Sequence, residues 1–156
     1  MSKITPFLWF DTQAEEAVRF YVSLFPNSKI GSISRYTEAG PMPAGSAMTV
    51  PFELDGMPMT ALNGGPMYKF TEAFSLSAAC EDQAEIDRLW AALADGGEPG
   101  PCGWLKDRYG LSWQIVPKQM PELVGGSDPE KARRAMEAMF KMTKLDIAAL
   151  EAARAG

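Results

Sequence analysis

The chain has 156 residues, of which 46% are hydrophobic and 22% charged, a composition typical of one globular domain and not of a disordered segment or a coiled coil. It contains no histidine, which excludes catalytic triads and metal sites that depend on imidazole. Residues 1–127 carry a formal charge of −6 and residues 128–156 carry +1, and this acidic body argues against nucleic-acid binding.

The sequence also predicts the compartment and the state of the cysteines. No stretch approaches the roughly 20 consecutive apolar residues of a membrane span. The N-terminus lacks the longer apolar region of a signal peptide, so we expect a cytoplasmic protein with no membrane partner. Cys80 and Cys102 are too few for a thiolate zinc site, and we expect two free thiols, with a single bridge between them as the alternative.

The first elements of the chain are predicted as a strand, a helix and a second strand. Residues 4–10 form an apolar run with aromatic character, which favours a strand. Thr12 and Glu15 have the spacing of a capping box, and apolar residues at helical spacing follow over 14–25. A further strand is predicted over 29–36.

A hairpin follows, with strands over 47–54 and 57–63 around the favoured turn Asp55-Gly56. Its register sets Leu54 opposite Met57, because a two-residue turn fixes the pairing of the strands that it joins. One face of the hairpin is then continuously apolar and consists of Met48, Val50, Phe52, Met57, Met59 and Ala61.

The same order of elements is predicted again in the second half. A strand over 73–80 precedes a helix that begins with the capping box of Asp82 and Glu85, and a second hairpin joins 103–106 to 111–117. A shift of 69 residues superimposes the apolar positions of the two helices. We interpret this as a duplicated βαβββ unit.

The predicted fold class is therefore α+β, with two tandem βαβββ units over about 3–65 and 73–118. These units form a domain over 1–120, and a helical tail follows over 121–156. Helices are expected to begin near Asp128-Pro129 and near Asp146. The apolar stripe of the first tail helix is interpreted as ordinary packing, or alternatively as a surface for a second copy of the chain; it consists of Ala132, Ala135, Met136, Met139 and Phe140.

Tandem βαβββ units are the architecture of the vicinal oxygen chelate superfamily, the glyoxalase and bleomycin-resistance group. Four stretches resemble its PhnB-like branch, which is often labelled demethylubiquinone 3-methyltransferase-like. They are ITPFLWFDTQAEEAVRFYVSLF (4–25), ALNGGPMYKF (61–70), FSLSAACEDQAEIDRLW (74–90) and, most specifically, CGWLKDRYGLSWQIVP (102–117). The resemblance covers about residues 3–120.

This resemblance implies a cupped arrangement with one four-stranded sheet per unit, a small ligand in the cup, and a homodimer. Superfamily enzymes hold a divalent metal on the cup face through His and Glu side chains. Counting along the resemblance places those positions on Pro6, on or near Ser75, on Gln114 and within 57–63. Such residues are poor metal ligands, so we expect no metal and no other cofactor.

The residues themselves suggest several site candidates. Alternation along the last strand places Ser112 and Gln114 on the face that would line the cup, where the Gln114 amide either orients a ligand or bonds neighbouring backbone. Asn63 either stabilises a turn or contacts ligand. Cys102 is the one plausible nucleophile and is otherwise a structural thiol. From the first strand, the predicted cup lining consists of Pro6, Leu8 and Phe10.

These observations predict a metal-independent protein that binds a small, largely apolar molecule, with polarity supplied by Gln114, Asn63 and Ser75. The alternative is an enzyme. It would be either a methyltransferase, as the family label says, or a metal-dependent isomerase or lyase of the glyoxalase class. The glycines at 96–100 follow a helix, so they do not resemble the strand-to-helix turn of a Rossmann-type cofactor site.

Overall fold

The computed structural model describes residues 2–156 and has an α+β architecture with two mixed sheets and five helices. The chain divides into two compact units, Met1–Phe70 and Thr71–Gly156. The division falls between the two predicted βαβββ copies, and the residues of the tail belong to the second unit. Within residues 2–156, no helix has the length and apolar character needed to cross a bilayer.

The first unit contains one helix and a mixed sheet. The elements are β1 (Phe7–Phe10), α1 (Ala14–Leu24), β2 (Lys29–Ile30), β3 (Ser34–Arg35), β4 (Ala47–Leu54) and β5 (Met57–Asn63). The strand order is β1-β5-β4-β2, and β3 pairs with β4. Strand β1 runs parallel to β5, and the other pairs are antiparallel. The strand predicted over 29–36 is divided into two short strands.

The β4–β5 hairpin has the predicted turn and register. Asp55 and Gly56 both have positive φ angles, 49° and 80°, as the tight two-residue turn requires. Leu54 pairs with Met57, which confirms the expected alignment. The apolar face of the hairpin is buried at Val50, Phe52, Leu54, Met59 and Ala61.

Helix α1 covers this apolar face, since its own buried side chains are Ala14, Ala17, Val18 and Tyr21. Strand β1 continues the same face, because Leu8 pairs with Ala61 and Phe10 pairs with Asn63 in parallel register. Leu8 is 1% exposed, whereas Phe7 is 60% exposed. The helix-facing core therefore includes Leu8 and Phe10, and Phe7 lies on the opposite face.

The second unit repeats the topology of the first. The elements are β6 (Ser75–Cys80), α2 (Gln83–Ala94), β7 (Glu98–Pro99), β8 (Trp104–Lys106) and β9 (Ser112–Pro117). The strand order is β6-β9-β8-β7, with a parallel β6–β9 pair. Helix α2 packs on the face of the sheet that contains Leu105, Trp113 and Ile115, all of which are buried. This repeat confirms the duplicated βαβββ unit.

The two helices differ in how they begin. Asp82 accepts a hydrogen bond from the backbone N–H of Glu85 at 2.9 Å, which confirms its predicted capping of α2. The Glu85 carboxylate accepts a bond from the backbone N–H of Glu81, one residue before the N-cap. In α1 the N-cap residue is Gln13, without a side-chain cap. The capping role predicted for Thr12 is wrong.

The tail forms three helices, α3 (Met120–Val124), α4 (Pro129–Phe140) and α5 (Ile147–Ala155). Asp128 caps α4 and Asp146 caps α5, as predicted, through bonds from backbone N–H groups of the first turn. Arg154 donates from Nη1 to the backbone carbonyls of Leu123 and Gly125, each at 2.9 Å. These bonds fasten the end of α3 to α5.

Candidate functional site

The second unit contains a cavity of about 600 Å³ on the face of its sheet opposite α2. One wall comes from the strands and the loop before β8, and the other comes from the tail. Most of the surface is apolar. The lining residues are Glu72, Pro101, Cys102, Trp104, Gln114, Val116, Met120, Met139 and Phe140.

Strand alternation explains the sheet wall of the cavity. Gln114 and Val116 face the cavity, and the intervening Ile115 is fully buried on the helix side, as the sequence predicts. Trp104 pairs with Gln114 and shares its face. Trp113 lies on the other face, where its Nε1 donates to Asp107 Oδ2 at 2.9 Å. The register therefore places the two tryptophans on opposite faces of the sheet.

Gln114 and Ser75 are brought together at the sheet wall. The Gln114 amide nitrogen donates to the Ser75 hydroxyl oxygen at 3.0 Å, across neighbouring strands, and both side chains are half-buried. An amide whose nitrogen is held in this way offers its oxygen as an acceptor. Ser112 lies on the same face and is 1% exposed, and its hydroxyl has no hydrogen-bond partner among residues 2–156.

Cys102 lines the cavity from the loop before β8. Cys102 and Gly103 both have positive φ angles, 59° and 83°, and their N–H groups donate to the carbonyls of Met142 and Thr143, each at 2.8 Å. Both cysteines are free thiols. Burial raises the pKa of the Cys80 thiol from its ordinary 9.0 to about 12, so Cys80 is a poor nucleophile and Cys102 is the accessible thiol.

Glu72 is the charged side chain of the lining, and it pairs with Lys106 at the margin of the cavity. The hydrogen bond from Lys106 lowers the pKa of the Glu72 carboxyl, and the same contact raises the pKa of Lys106. Arg108 pairs with Asp95 at 3.5 Å. Lys106 and Arg108 therefore both have carboxylate partners.

The tail wall of the cavity consists of Met120, Met139 and Phe140, none of which was predicted as a site residue. A signal was present in the sequence, since two of these residues belong to the methionine and aromatic stripe of the first tail helix. That stripe predicts an apolar helix face, but the pattern does not indicate which part of the protein packs against this face.

Asn63, a site candidate in the first unit, makes hydrogen bonds that stabilise the fold. Asn63 is 4% exposed, its Oδ1 accepts from the backbone N–H of Ala14 at 2.8 Å, and its Nδ2 donates to the carbonyl of Ala47 at 3.0 Å. Its amide therefore holds the first turn of α1 against β4. Asn63 therefore stabilises the backbone, as one of its two predicted roles required, but it stabilises the start of a helix and not a turn.

Pro6, Leu8 and Phe10 were expected to line the cup, and the orientation behind that expectation is wrong. Leu8 and Phe10 are buried on the helix side, and alternation places Pro6 with them. Parallel pairing of β1 with β5 sets this orientation, and a shift of one residue in that register would reverse every side chain. The face opposite the helix contains Phe7 and Trp9 instead.

The residues present do not fit the metal site of the superfamily. In the part of the chain that the structure describes, no three His, Cys, Asp or Glu side chains come together to hold an ion. The corresponding positions in the second unit are the hydroxyl of Ser75 and the amide of Gln114, which are weak neutral ligands. Gly96 and Gly97 lie between α2 and β7, so they do not form a Rossmann-type cofactor turn either.

Comparison with known proteins gives the family. Residues 2–116 match the family described as 3-demethylubiquinone-9 3-methyltransferase. The PhnB protein of Bacillus cereus is 40% identical, with a TM-score of 0.67, over 74% of this chain and 98% of that chain. A protein from Pseudomonas aeruginosa is 22% identical, with a TM-score of 0.63, over 76% of this chain and 98% of that chain.

The fold also resembles that of the fosfomycin resistance protein FosX of Mesorhizobium loti, at 12% identity and a TM-score of 0.54, over 78% of this chain and 97% of that chain. This likeness shows the glyoxalase and bleomycin-resistance fold, as the tandem units predict. No curated protein matches the chain.

Proposed function

The chain belongs to the 3-demethylubiquinone-9 3-methyltransferase family, the PhnB-like group of the glyoxalase and bleomycin-resistance fold, and on that premise we propose that its second unit binds a small, largely apolar molecule without a bound metal. The observation that carries the proposal is the cavity of about 600 Å³ between the sheet and the tail. Ligand pockets typically have volumes of about 300–1,000 Å³, with apolar walls and few polar groups.

The chemistry of the lining supports an apolar ligand with one polar end. Trp104, Val116 and Met120 provide apolar surface, and burial of such surface drives binding. The Gln114 amide and the Ser75 hydroxyl supply the polar contact, with the Gln114 oxygen available to accept a hydrogen bond from the ligand. A neutral molecule with a hydroxyl or amine group matches this arrangement.

The experiment is a calorimetric titration of the full chain with 2-naphthol, a small apolar molecule with one hydroxyl group. Saturable binding at one site per chain is expected, together with a higher melting temperature. In the variant Val116→Arg, a charged side chain enters the cavity and should abolish binding. The matched control Met57→Arg places the same charge on an exposed strand residue of the first unit. Absence of saturable binding to the unmodified chain would refute the proposal.

The second candidate function is methyl transfer, which the description of the family favours. A methyltransferase must bind a methyl donor, and S-adenosylmethionine combines a cationic sulfonium with a polar nucleoside. Glu72 is the charged residue of the lining, and it is paired with Lys106. Calorimetry with S-adenosylmethionine separates the candidates, because saturable heat supports methyl transfer and its absence at high concentration argues against it.

We also propose that the protein is a homodimer and that it is cytoplasmic. Native mass spectrometry tests the dimer. Protein purified gently and without chelator should give the mass of two chains, with no divalent metal and with any retained ligand visible as added mass. A metal-dependent isomerase or lyase instead requires stoichiometric metal. A spectrum of bare monomers alone would contradict the dimer.

A further inference from the structure

Part of the cavity wall lies beyond the family domain. The family match ends at residue 116, and Met120, Met139 and Phe140 follow it in the tail. The Bacillus cereus relative is aligned over 98% of its own length with only 74% of this chain. The wall that the tail contributes is therefore outside the part of the chain that defines the family.

Hydrogen bonds and an ion pair fasten the tail to the second unit. The Gln83 side chain at the start of α2 donates to the carbonyl of Leu145 at 3.0 Å and accepts from the N–H of Ile147 at 2.8 Å. Lys144 pairs with Asp87 at 2.7 Å. With the backbone bond from Cys102 to Met142, these contacts fix the residues that directly follow Met139 and Phe140.

Aromatic rings line the cavity both from the sheet and from the tail. Trp104 lines the cavity from β8 and Phe140 from the end of α4, where it is 63% exposed. Aromatic rings attract other rings in stacked or edge-on geometry, and methionine sulfur makes favourable contacts with rings. Both chemistries favour a flat, unsaturated occupant over a saturated one of equal size.

We propose that the tail completes the binding site and, through Phe140 and Met139, makes the cavity selective for a planar aromatic ring. This inference rests on the proposed function. It attributes the choice of ligand to residues of the tail, which follow the residues that match the family.

The test compares two probes that have the same carbon skeleton and one hydroxyl group, planar 2-naphthol and saturated decahydro-2-naphthol. Calorimetry with the full chain should give a dissociation constant about two- to tenfold lower for 2-naphthol, the contribution expected of one aromatic contact. Equal dissociation constants for the two probes would refute the selectivity while leaving the proposed function intact. If neither probe binds, the proposed function fails and the inference fails with it.

Two matched variants of α4 assign the selectivity to the tail. Phe140→Leu removes the ring and keeps an apolar side chain, so the preference for 2-naphthol should disappear while both probes still bind. Met136→Leu is the control, because Met136 is exposed on the same helix and is not part of the lining. If the Phe140→Leu variant keeps the full preference, the role of the tail is refuted. Melting temperatures of the free variants show whether each is folded.

Discussion

The side-chain nitrogen of Gln114 lies 3.0 Å from the hydroxyl oxygen of Ser75, on the neighbouring parallel strand. The family resemblance predicted both residues as site candidates, and the β6–β9 register brings them together. Because Ser75 holds the amide nitrogen, the amide oxygen has a defined direction. Gln114 is thereby an oriented acceptor at the sheet wall of the cavity.

Replacement of Gln114 by alanine should weaken the binding of a ligand with a hydroxyl group and leave an otherwise similar hydrocarbon unaffected. A neutral hydrogen bond contributes roughly 0.5–1.5 kcal/mol, so the dissociation constant of 2-naphthol should rise about two- to tenfold. Naphthalene should bind both proteins equally. Ser77→Ala is the control, since Ser77 pairs with Gln114 in the sheet but makes no side-chain bond to it among the contacts described. Equal losses for both ligands would argue against a specific polar contact.

The hairpin and the β1 strand show why some features could be predicted from the sequence and others could not. Asp55-Gly56 determines the β4–β5 register locally, since few residues adopt its positive φ angles. In contrast, every residue from Pro6 to Phe10 is apolar, so alternation within β1 does not distinguish the helix side from the open side. Pairing with β5 determines the orientation, and that pairing involves residues more than 50 positions away.

The residues of the cavity could also be predicted only in part from the sequence. Gln114 and Ser75 were predicted from the strand pattern and the family resemblance, and Cys102 as the one plausible nucleophile. The structure places all three at or beside the cavity. Met139 and Phe140 of the tail were predicted only as part of an apolar stripe, and Met120 was not predicted at all. Their role depends on long-range contacts, such as the bonds of Gln83 with Leu145 and Ile147. Helical periodicity contains no information about those contacts.

The two helix starts give a prediction about stability. Asp82→Ala should lower the free energy of unfolding by about 1 kcal/mol, because it removes the acceptor for the Glu85 N–H. Thr12→Ala should change it by less than about 0.5 kcal/mol, because Thr12 does not cap α1. Urea denaturation followed by circular dichroism measures both variants. Equal losses would show that Thr12 caps its helix in solution.

Replacement of Asn63 by alanine should be more costly than the loss of the Asp82 cap. It leaves the N–H of Ala14 and the carbonyl of Ala47 buried without their partner, and each unsatisfied group costs about 1–3 kcal/mol. A loss of about 2–4 kcal/mol is expected in the same denaturation experiment. Asn63→Asp keeps the acceptor and loses the donor, so it should also be destabilised. A loss below about 1 kcal/mol for the alanine variant would contradict the structural role.

The two cysteines should differ in reactivity and in their effect on stability at high pH. Iodoacetamide at pH 8 should modify Cys102 alone in the folded protein and both thiols in urea, as mass spectrometry can determine, and 2-naphthol should slow the reaction of Cys102.

Because the folded-state pKa of Cys80 is raised from 9.0 to about 12, its neutral thiol stabilises the fold below pH 9, and this stabilisation is lost as the pH rises towards 12. The stability advantage of the unmodified chain over Cys80→Ala should therefore shrink between pH 8 and pH 10. A constant difference, or rapid labelling of Cys80 in the folded chain, would show that its thiol is accessible to solvent.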